Sequence, residues 1–336
     1  MLLLNIYFID LGFSGAKGGV DRRCMSTRVT PKQKQTLATL EQKLDEVPLL
    51  PAVVVRIASL DPLADGFPDQ IESLAQCDPP FATRLLQAAN NSYSGAVSPI
   101  LTLPAAISRV GARTLAEMVT CHSVARVFVV TKRGQLNLWA HSIQVAVGAR
   151  KIAQLNPELG VEPEQAYLAG LLHDIGRFVM FEHSPEELGQ VDETWSNVSE
   201  MVEAELAICG YDHAELGWLA CGKWAFPEKV STLIRDHHVY ESARTTQWPP
   251  EMVQLVHLVQ QADMLSVAMI VNPNLTRLAI EDRALAVKQS CCHPQWAKPP
   301  VPAPRLAEAI DEIAATSNQM IRSLDLVLPE RMNRMS

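Results

Sequence analysis

The sequence predicts an all-α protein with a substantial buried core. Hydrophobic residues make up 48% of the 336-residue chain and aromatic residues only 6%, so aliphatic side chains supply most of the apolar surface. Ala, Leu, Glu and Gln are abundant and β-branched runs are scarce, a balance that favours helices over sheets. A chain of this length has room for one large domain or two moderate ones.

The charge distribution argues against two classes of partner. The formal net charge is −8, and the sequence contains no block of Lys or Arg. Nucleic acids and anionic membranes both attract clustered positive charge, so we expect neither as the main partner. A local binding site for an anion is compatible with this composition.

The seven cysteines do not form a disulfide pattern, because five are isolated and only Cys291 and Cys292 are adjacent. His293 follows this pair, but the usual spacing of a zinc site and a fourth ligand are missing. We therefore interpret the region as a linker, and the Pro-rich passage around it as a semi-rigid connector or, alternatively, a docking site for a partner domain.

Residues 1–31 are expected either to be disordered or to precede the true start of the protein, with Met25 as the alternative initiator. The opening MLLLNIYFIDLGFSG is apolar, but it lacks a basic region and contains Asp10. It is therefore a poor signal peptide or membrane span, and the sequence favours a cytoplasmic location.

Helical periodicity divides the rest of the chain into three parts. Residues 32–130 are predicted to form an N-terminal helical subdomain, in which Gly111 separates two helical pieces. Residues 131–285 form a core of apolar helices. Residues 286–336 contain the Pro-rich linker and an amphipathic helix at 306–324, which we expect to pack on the domain or on another subunit.

A His-Asp pair ends an apolar helix in the middle of the predicted core. His173 and Asp174 directly follow the segment LAGLL. A carboxylate removed from water at such a place needs a counter-charge or a metal ion. The compensating groups must come from other parts of the chain.

Five further polar residues occupy positions in apolar helices where periodicity predicts burial: His141, His213, His237, His238 and Asp263. If the helices pack as one bundle, these side chains converge on the His-Asp pair. A set of nitrogen and oxygen ligands suits Fe, Mn, Zn or Mg, and two ions bridged by one carboxylate would use the whole set.

The order of these residues resembles the H…HD…H…HH…D signature of HD-domain phosphohydrolases, and in particular of their HD-GYP cyclic-di-GMP phosphodiesterase relatives. The wider sequence is more similar to HDOD, the HD-related output domain. The likeness spans residues 45–265. The segments that carry it are LPAVVVRI, CDPPFATRLLQAANNSYSG, the stretch from Ile100 to Gly111, LWAHS, AYLAGLLHDIGR and HAELGWLACGKWAFPEKVSTLIRDHH.

This resemblance implies an HD-superfamily helical bundle with an N-terminal helical subdomain, of the kind found in bacterial signalling proteins. HDOD members are regarded as output or interaction modules that have often lost catalysis. The chain departs from the enzymes in two ways. After His238 it reads VYESARTTQWPP and lacks a Gly-Tyr-Pro motif, and Arg177 stands where many active HD enzymes have Lys.

By similarity, one or two divalent ions are expected, the first held by His141, His173, Asp174 and Asp263, and the second by Asp174, His213, His237 and His238. The catalytic residues that the resemblance suggests are Asp174 and Arg177. The planar guanidinium of Arg177 would hold a substrate phosphate. The metal ions would lower the pKa of a bound water and neutralise phosphate charge.

Two functions compete on this evidence. The favoured one is a regulatory module that binds signalling protein partners or a phosphate-containing, nucleotide-like small molecule, and the missing Gly-Tyr-Pro motif supports it. The alternative is an active metal-dependent phosphohydrolase acting on a nucleotide, a cyclic dinucleotide or another phosphoester, and the complete ligand order supports it. The oligomeric state is left open.

Several aromatic residues outside this order are expected to have surface or structural roles. The remaining histidines are His122, His183, His257 and His293. His257 lies six positions before Asp263, so on a regular helix it points away from it. The tryptophans near the histidines are expected to pack in the core: Trp139, Trp218 and Trp224.

Overall fold

A computed structural model describes residues 64–77, 100–112, 133–194, 198–224, 226–240, 248–296 and 298–323, together with isolated positions between 54 and 128. Residues 1–31, predicted to be disordered or to precede the start, lie outside the described residues, as does His122. The described residues form α-helices and two short 3-10 helices, with no strand among them. The predicted all-α class is therefore confirmed.

The N-terminal part contributes two described helices that contact each other, α1 (Phe67–Cys77) and α2 (Leu103–Val110). Helix α2 ends at Gly111, where φ is +91°, a conformation that favours glycine. This is the position at which the sequence predicted a break between helical pieces.

Among the described residues, the central part contains eight helices: α3 (Arg133–Leu155), α4 (Pro163–Leu172), α5 (Ile175–His183), α6 (Pro185–Asp192), α7 (Val198–Ile208), α8 (His213–Lys223), α9 (Glu228–Asp236) and α10 (Pro250–Val271). Proline occupies the first turn of α4, α6 and α10, where its missing N–H has no helical acceptor in any case. Helix α3 lies at the centre and packs against α4 and α10.

Two glycines let the central helices approach closely enough to form the site. A Cβ atom at Gly170 would lie 2.8 Å from the carbonyl oxygen of Val145, so glycine there allows α4 to lie directly on α3. A Cβ atom at Gly176 would lie only 1.8 Å from the carbonyl oxygen of His213, at the contact between α5 and α8. Each glycine is close in sequence to the His-Asp pair, so each contact brings that pair to another helix.

The C-terminal part packs on the core through α11 (Ile280–Ser290) and α12 (Ala303–Ser323), which contact each other while α12 also contacts α3. The predicted boundary between the core and the C-terminal part, at residue 286, falls inside α11. The Pro-rich connection between these helices is held by Gln261 of α10. Its amide nitrogen donates to the carbonyl oxygens of Cys291 (3.3 Å) and Val301 (2.8 Å), and its oxygen accepts from the Val301 N–H (2.9 Å).

The tryptophans divide between the core and the surface. Trp139 and Trp224 are buried, as predicted. The prediction for Trp218 is wrong, because its side chain is 38% exposed. The guanidinium of Arg235 lies 5.6 Å from the centroid of the Trp218 ring, so a cation covers this aromatic surface instead of the core.

Helix α10 is long and apolar enough to cross a membrane by length and composition, and it is the one such helix among the described residues. Its apolar window is 56% buried inside the fold, and the helix carries Asp263 among its buried residues. Buried core helices commonly pass the same test, and α10 packs against α3 as one of them. The cytoplasmic location stays a prediction.

Candidate metal centre

The seven residues predicted as metal ligands lie together, around the carboxylate of Asp174. Its Oδ1 atom lies 3.5 Å from His173 Nε2, 3.2 Å from His213 Nε2 and 3.5 Å from His237 Nε2. Its Oδ2 atom lies 3.6 Å from His141 Nε2. Asp174 precedes α5 at a tight corner after α4, and this position projects it between the surrounding helices.

The cluster divides into two groups, and within each group the ligand atoms lie within 4.8 Å of one another. One group contains His141, His173 and Asp263, and the other contains Asp174, His213, His237 and His238. The distance from Asp174 Oδ2 to His141 Nε2 links the first group to the second. This arrangement is compatible with the predicted bridging role of Asp174, which stays a prediction.

His141 and Asp263 come from neighbouring helices, since α3 packs directly against α10. His141 Nε2 lies 3.3 Å from Asp263 Oδ1. On the other side of the ring, Nδ1 lies 3.0 Å from the hydroxyl of Ser266, which donates its proton to Gln144 at 2.8 Å. The Ser266 oxygen therefore accepts from Nδ1–H of His141, and Nε2 of the ring faces the cluster.

Three other histidines are oriented in the same way. His173 donates from Nδ1 to the carbonyl oxygen of Gly170 (2.8 Å), and His237 donates to that of Ile234 (2.7 Å). His213 Nδ1 lies 2.6 Å from a carboxylate oxygen of Glu205. Acceptors on the outer side of each ring fix its orientation, so that Nε2 points into the cluster, where it can bind a metal ion.

Burial and charge oppose each other at the His-Asp pair. Burial by itself raises the pKa of Asp174, but His173 and His213 hold that pKa well below its usual range. Burial lowers the pKa of His173 to about 4, although the nearby carboxylate opposes this effect. Near neutral pH the carboxylate is therefore ionised and His173 is neutral, which are the protonation states of metal ligands.

Unpaired polar atoms in the cluster fit a bound cation. Nε2 of His173 and Oδ1 of Asp174 are buried and make no hydrogen bond of good geometry. Nε2 of His213 lies 3.2 Å from Nε2 of His237 and 2.9 Å from Nε2 of His238, so three imidazole nitrogens face one another. Such atoms need a proton or a cation between them, and imidazole with carboxylate is a common ligand set for Zn, Fe and Mn.

Arg177 lies beside the cluster, with its side chain turned toward two acids. Its Nη1 atom lies 3.2 Å from Glu205 Oε1 and contacts the sulfur of Met201, while Nη2 lies 2.5 Å from Asp192 Oδ1. The side chain is buried, and the neighbouring acids outweigh the effect of burial and raise the pKa of its guanidinium. Phosphate binding by Arg177 stays a prediction, and it requires the guanidinium to be shared with these acids.

Sequence reasoning missed Glu205, the carboxylate that contacts both His213 and Arg177. Its side chain is fully buried. Burial opposes the charge on His213, but Glu205 and Asp174 together raise the pKa of His213 to about 10. The signal in the sequence was weak: Glu205 lies four positions after buried Met201 and therefore on the inner face of α7, although acids are ordinary residues in amphipathic helices.

The histidines predicted to lie outside the cluster do so where the structure describes them. His293 stacks on Tyr240 with ring centroids 3.9 Å apart, and His257 packs against Trp296 at 5.6 Å. Neither residue, nor His183, belongs to the two candidate ligand groups.

The family model of the HDOD domain matches residues 47–240, which is more than half of the chain. The chain belongs to the HDOD family. The predicted HDOD resemblance is thus confirmed. The family match ends before α10, so Asp263 is a ligand candidate that lies outside the matched residues.

Solved structures share the helical fold of this HDOD chain. An HDOD domain protein of unknown function from Geobacter sulfurreducens is 22% identical with a TM-score of 0.63, covering 88% of this chain and 99% of that one. A candidate phosphohydrolase from Shewanella amazonensis is also 22% identical with a TM-score of 0.63, covering 85% and 98%. A candidate signal transduction protein from Marinobacter aquaeolei is 19% identical with a TM-score of 0.57, covering 88% and 67%.

A curated relative is an uncharacterized protein of Treponema pallidum (strain Nichols). It is 27% identical to this HDOD chain over 251 residues, or 72% of the chain. The chain spans about half the length of that relative, with 48% of it covered.

Proposed function

We propose that this protein is a bacterial signal-transduction module of the HDOD family, whose His/Asp cluster binds one or two divalent metal ions. It acts by binding a signalling protein or a phosphate-containing, nucleotide-like molecule. The observation that carries the proposal is the position of Asp174, whose two carboxylate oxygens face imidazoles from both candidate ligand groups. Metal sites in helical bundles are built in this way, from side chains on facing helices.

Three features favour regulation over catalysis. The chain lacks the Gly-Tyr-Pro motif after His238. Both terminal nitrogens of Arg177 contact protein groups, which leaves its guanidinium less suited to hold a reacting phosphate. The candidate ligands are also enclosed, since His141 has 13% of its side chain exposed and the acids beside it only 6%.

The chemistry of the pocket follows from its own residues. Asp174 and Asp263 supply negative charge for a cation, and the outward hydrogen bonds of the histidines keep Nε2 directed inward. Bound metal ions would supply positive charge for a phosphate oxygen and would lower the pKa of a coordinated water. The surrounding helices leave little of the ligand side chains exposed to bulk water.

The alternative function is an active metal-dependent phosphohydrolase acting on a nucleotide or cyclic dinucleotide. The complete set of seven candidate ligands, divided into two groups beside one shared carboxylate, favours it. In this function Asp174 would hold both ions while Arg177 would exchange an acid for the substrate phosphate.

Metal analysis of protein purified anaerobically without chelator tests the proposal, followed by a turnover screen on phosphoesters with Mn²⁺ or Fe²⁺. We expect bound metal in the wild type, its loss in His173→Ala and Asp174→Ala, and its retention in the control His257→Gln. Bound metal without turnover supports the regulatory module. Hydrolysis that both alanine variants abolish supports the enzyme, and wild-type protein without metal contradicts both metal-based functions.

A further inference from the structure

Glu205 is a buried carboxylate that neither the ligand set nor the motif analysis includes. It comes from α7, whereas the candidate ligands come from other helices and their ends. Leaving a carboxylate fully buried is costly unless charged or hydrogen-bonding groups surround it. Glu205 has such groups on both of its oxygens, and they belong to two different residues.

One oxygen of Glu205 binds His213 twice. Oε2 accepts from the backbone N–H of His213 at 3.0 Å and lies 2.6 Å from its Nδ1. His213 is the first residue of α8, and Asp212 caps the same helix by accepting from the Glu215 N–H at 2.8 Å. Glu205 thereby fixes both the backbone and the ring of His213, as a second capping group for α8.

The other oxygen of Glu205 accepts from Arg177. Oε1 lies 3.2 Å from Arg177 Nη1, and Arg177 is anchored in turn by Asp192. The positive guanidinium compensates the buried negative charge and prevents the carboxylate from rotating away from His213. The two contacts together hold Glu205 in one orientation.

We infer that Glu205 is a positioning residue for the group formed by Asp174, His213, His237 and His238. By accepting from Nδ1 of His213, it keeps Nε2 of that ring directed at Asp174, in position to bind a metal ion. Arg177 supports this role by holding Glu205. The inference rests on the proposed function, because it requires that the cluster binds metal.

The substitution Glu205→Gln changes the charge and the hydrogen bonding of this side chain without changing its size. A Gln side chain has the same shape but one oxygen and one NH₂ group. Its NH₂ group must face either His213 Nδ1–H or the Arg177 guanidinium, and both are donors. One of the two contacts is therefore lost, and the buried charge that balanced Arg177 is removed.

Titration of the metal-free full chain with Co²⁺ tests the inference, with binding followed by calorimetry and by the visible absorption of the bound ion. We expect Glu205→Gln to weaken one class of binding site by about 10- to 100-fold and to alter the Co²⁺ spectrum. The class formed by His141, His173 and Asp263 is expected to keep its affinity. The matched control is Glu203→Gln, which removes the same charge from an exposed position on α7 and is expected to bind like the wild type.

Glu205→Asp gives a second measurement, which also serves if Glu205→Gln does not fold. It keeps both oxygens and the charge that Arg177 needs, but its shorter side chain reaches less far. We expect a Co²⁺ affinity between those of the wild type and the Gln variant, so that the conservative change restores part of the function.

The outcomes separate this inference from the proposed function. If folded Glu205→Gln binds Co²⁺ with wild-type affinity and spectrum, the positioning role is wrong, but the metal site is unaffected. If Glu205→Gln does not fold, the same result for folded Glu205→Asp leads to the same conclusion. Wild-type protein that binds no Co²⁺, Mn²⁺ or Fe²⁺ overturns the proposed function, and the inference with it. Selective loss in the Glu205 variants, with Glu203→Gln unchanged, supports both.

Discussion

Oδ1 of Asp174 lies 3.2 Å from Nε2 of His213, across the contact between the beginnings of α5 and α8. This approach depends on Gly176, because a side chain there would meet the backbone of His213. The backbone contact and the polar contact therefore form together, and the stability of the fold is coupled to the geometry of the cluster.

Gly176→Ala is expected to destabilise the protein, because its Cβ atom would lie 1.8 Å from the carbonyl oxygen of His213 and backbone cannot move aside easily. Overpacking of this kind costs about 1–3 kcal/mol or more. Urea unfolding measures the effect. The control is Gly222→Ala in α8, where a Cβ atom meets nothing within 4 Å, and we expect it to be neutral or stabilising by up to about 1 kcal/mol. Equal stabilities for the two variants would contradict the close contact.

Asp174→Asn and Asp263→Asn are expected to differ in metal content. Asp174 contacts imidazoles of both ligand groups, so its change should reduce binding at both. Asp263 belongs to the first group, where it contacts His141, so its change should spare the group that contains His213. Elemental analysis of each purified variant gives the number of ions per chain. The same loss in both variants would argue against a bridging Asp174.

Divalent metal is expected to stabilise the folded chain, because the ligands come together only after folding. At a concentration about 100 times the Kd the gain is about 2.7 kcal/mol. For a chain of this length that gain corresponds to a rise in Tm of roughly 4 °C. Thermal unfolding with Mn²⁺ and then with excess chelator measures the difference. Asp174→Asn serves as the control and should show little change, whereas an equal rise in that variant would indicate binding elsewhere.

Gln261→Ala is expected to release the connection between α11 and α12. It removes the partner of the Val301 N–H and of two carbonyl oxygens, and buried groups left without a partner cost about 1–3 kcal/mol. Urea unfolding measures the loss, and hydrogen exchange at the Val301 amide localises it. Gln254→Ala, on the more accessible face of α10, is expected to change stability by less than about 0.5 kcal/mol. Unchanged exchange at Val301 would show that Gln261 does not anchor the segment.

The sequence already contained the fold class and the identity of the candidate ligands, because both depend on local pattern. Helical periodicity and the scarcity of β-branched runs predicted an all-α chain. Imidazoles and carboxylates inside apolar helices stood out, since such groups are costly to bury without compensation. The convergence of His141 and Asp263 on the His-Asp pair was a hypothesis that needed the packing of α3, α4 and α10.

The tertiary structure alone decided the surroundings of those ligands. Glu205 and Glu203 are the same residue type two positions apart in α7, and the folded chain buries Glu205 against Arg177 of α5 and His213 of α8 while Glu203 faces solvent. Arg177 was assigned to a phosphate on its chemistry, yet acids from α6 and α7 contact it in the folded chain. The physical reason is that residue type sets what a group can bind, whereas which groups meet depends on contacts between helices that are distant in sequence.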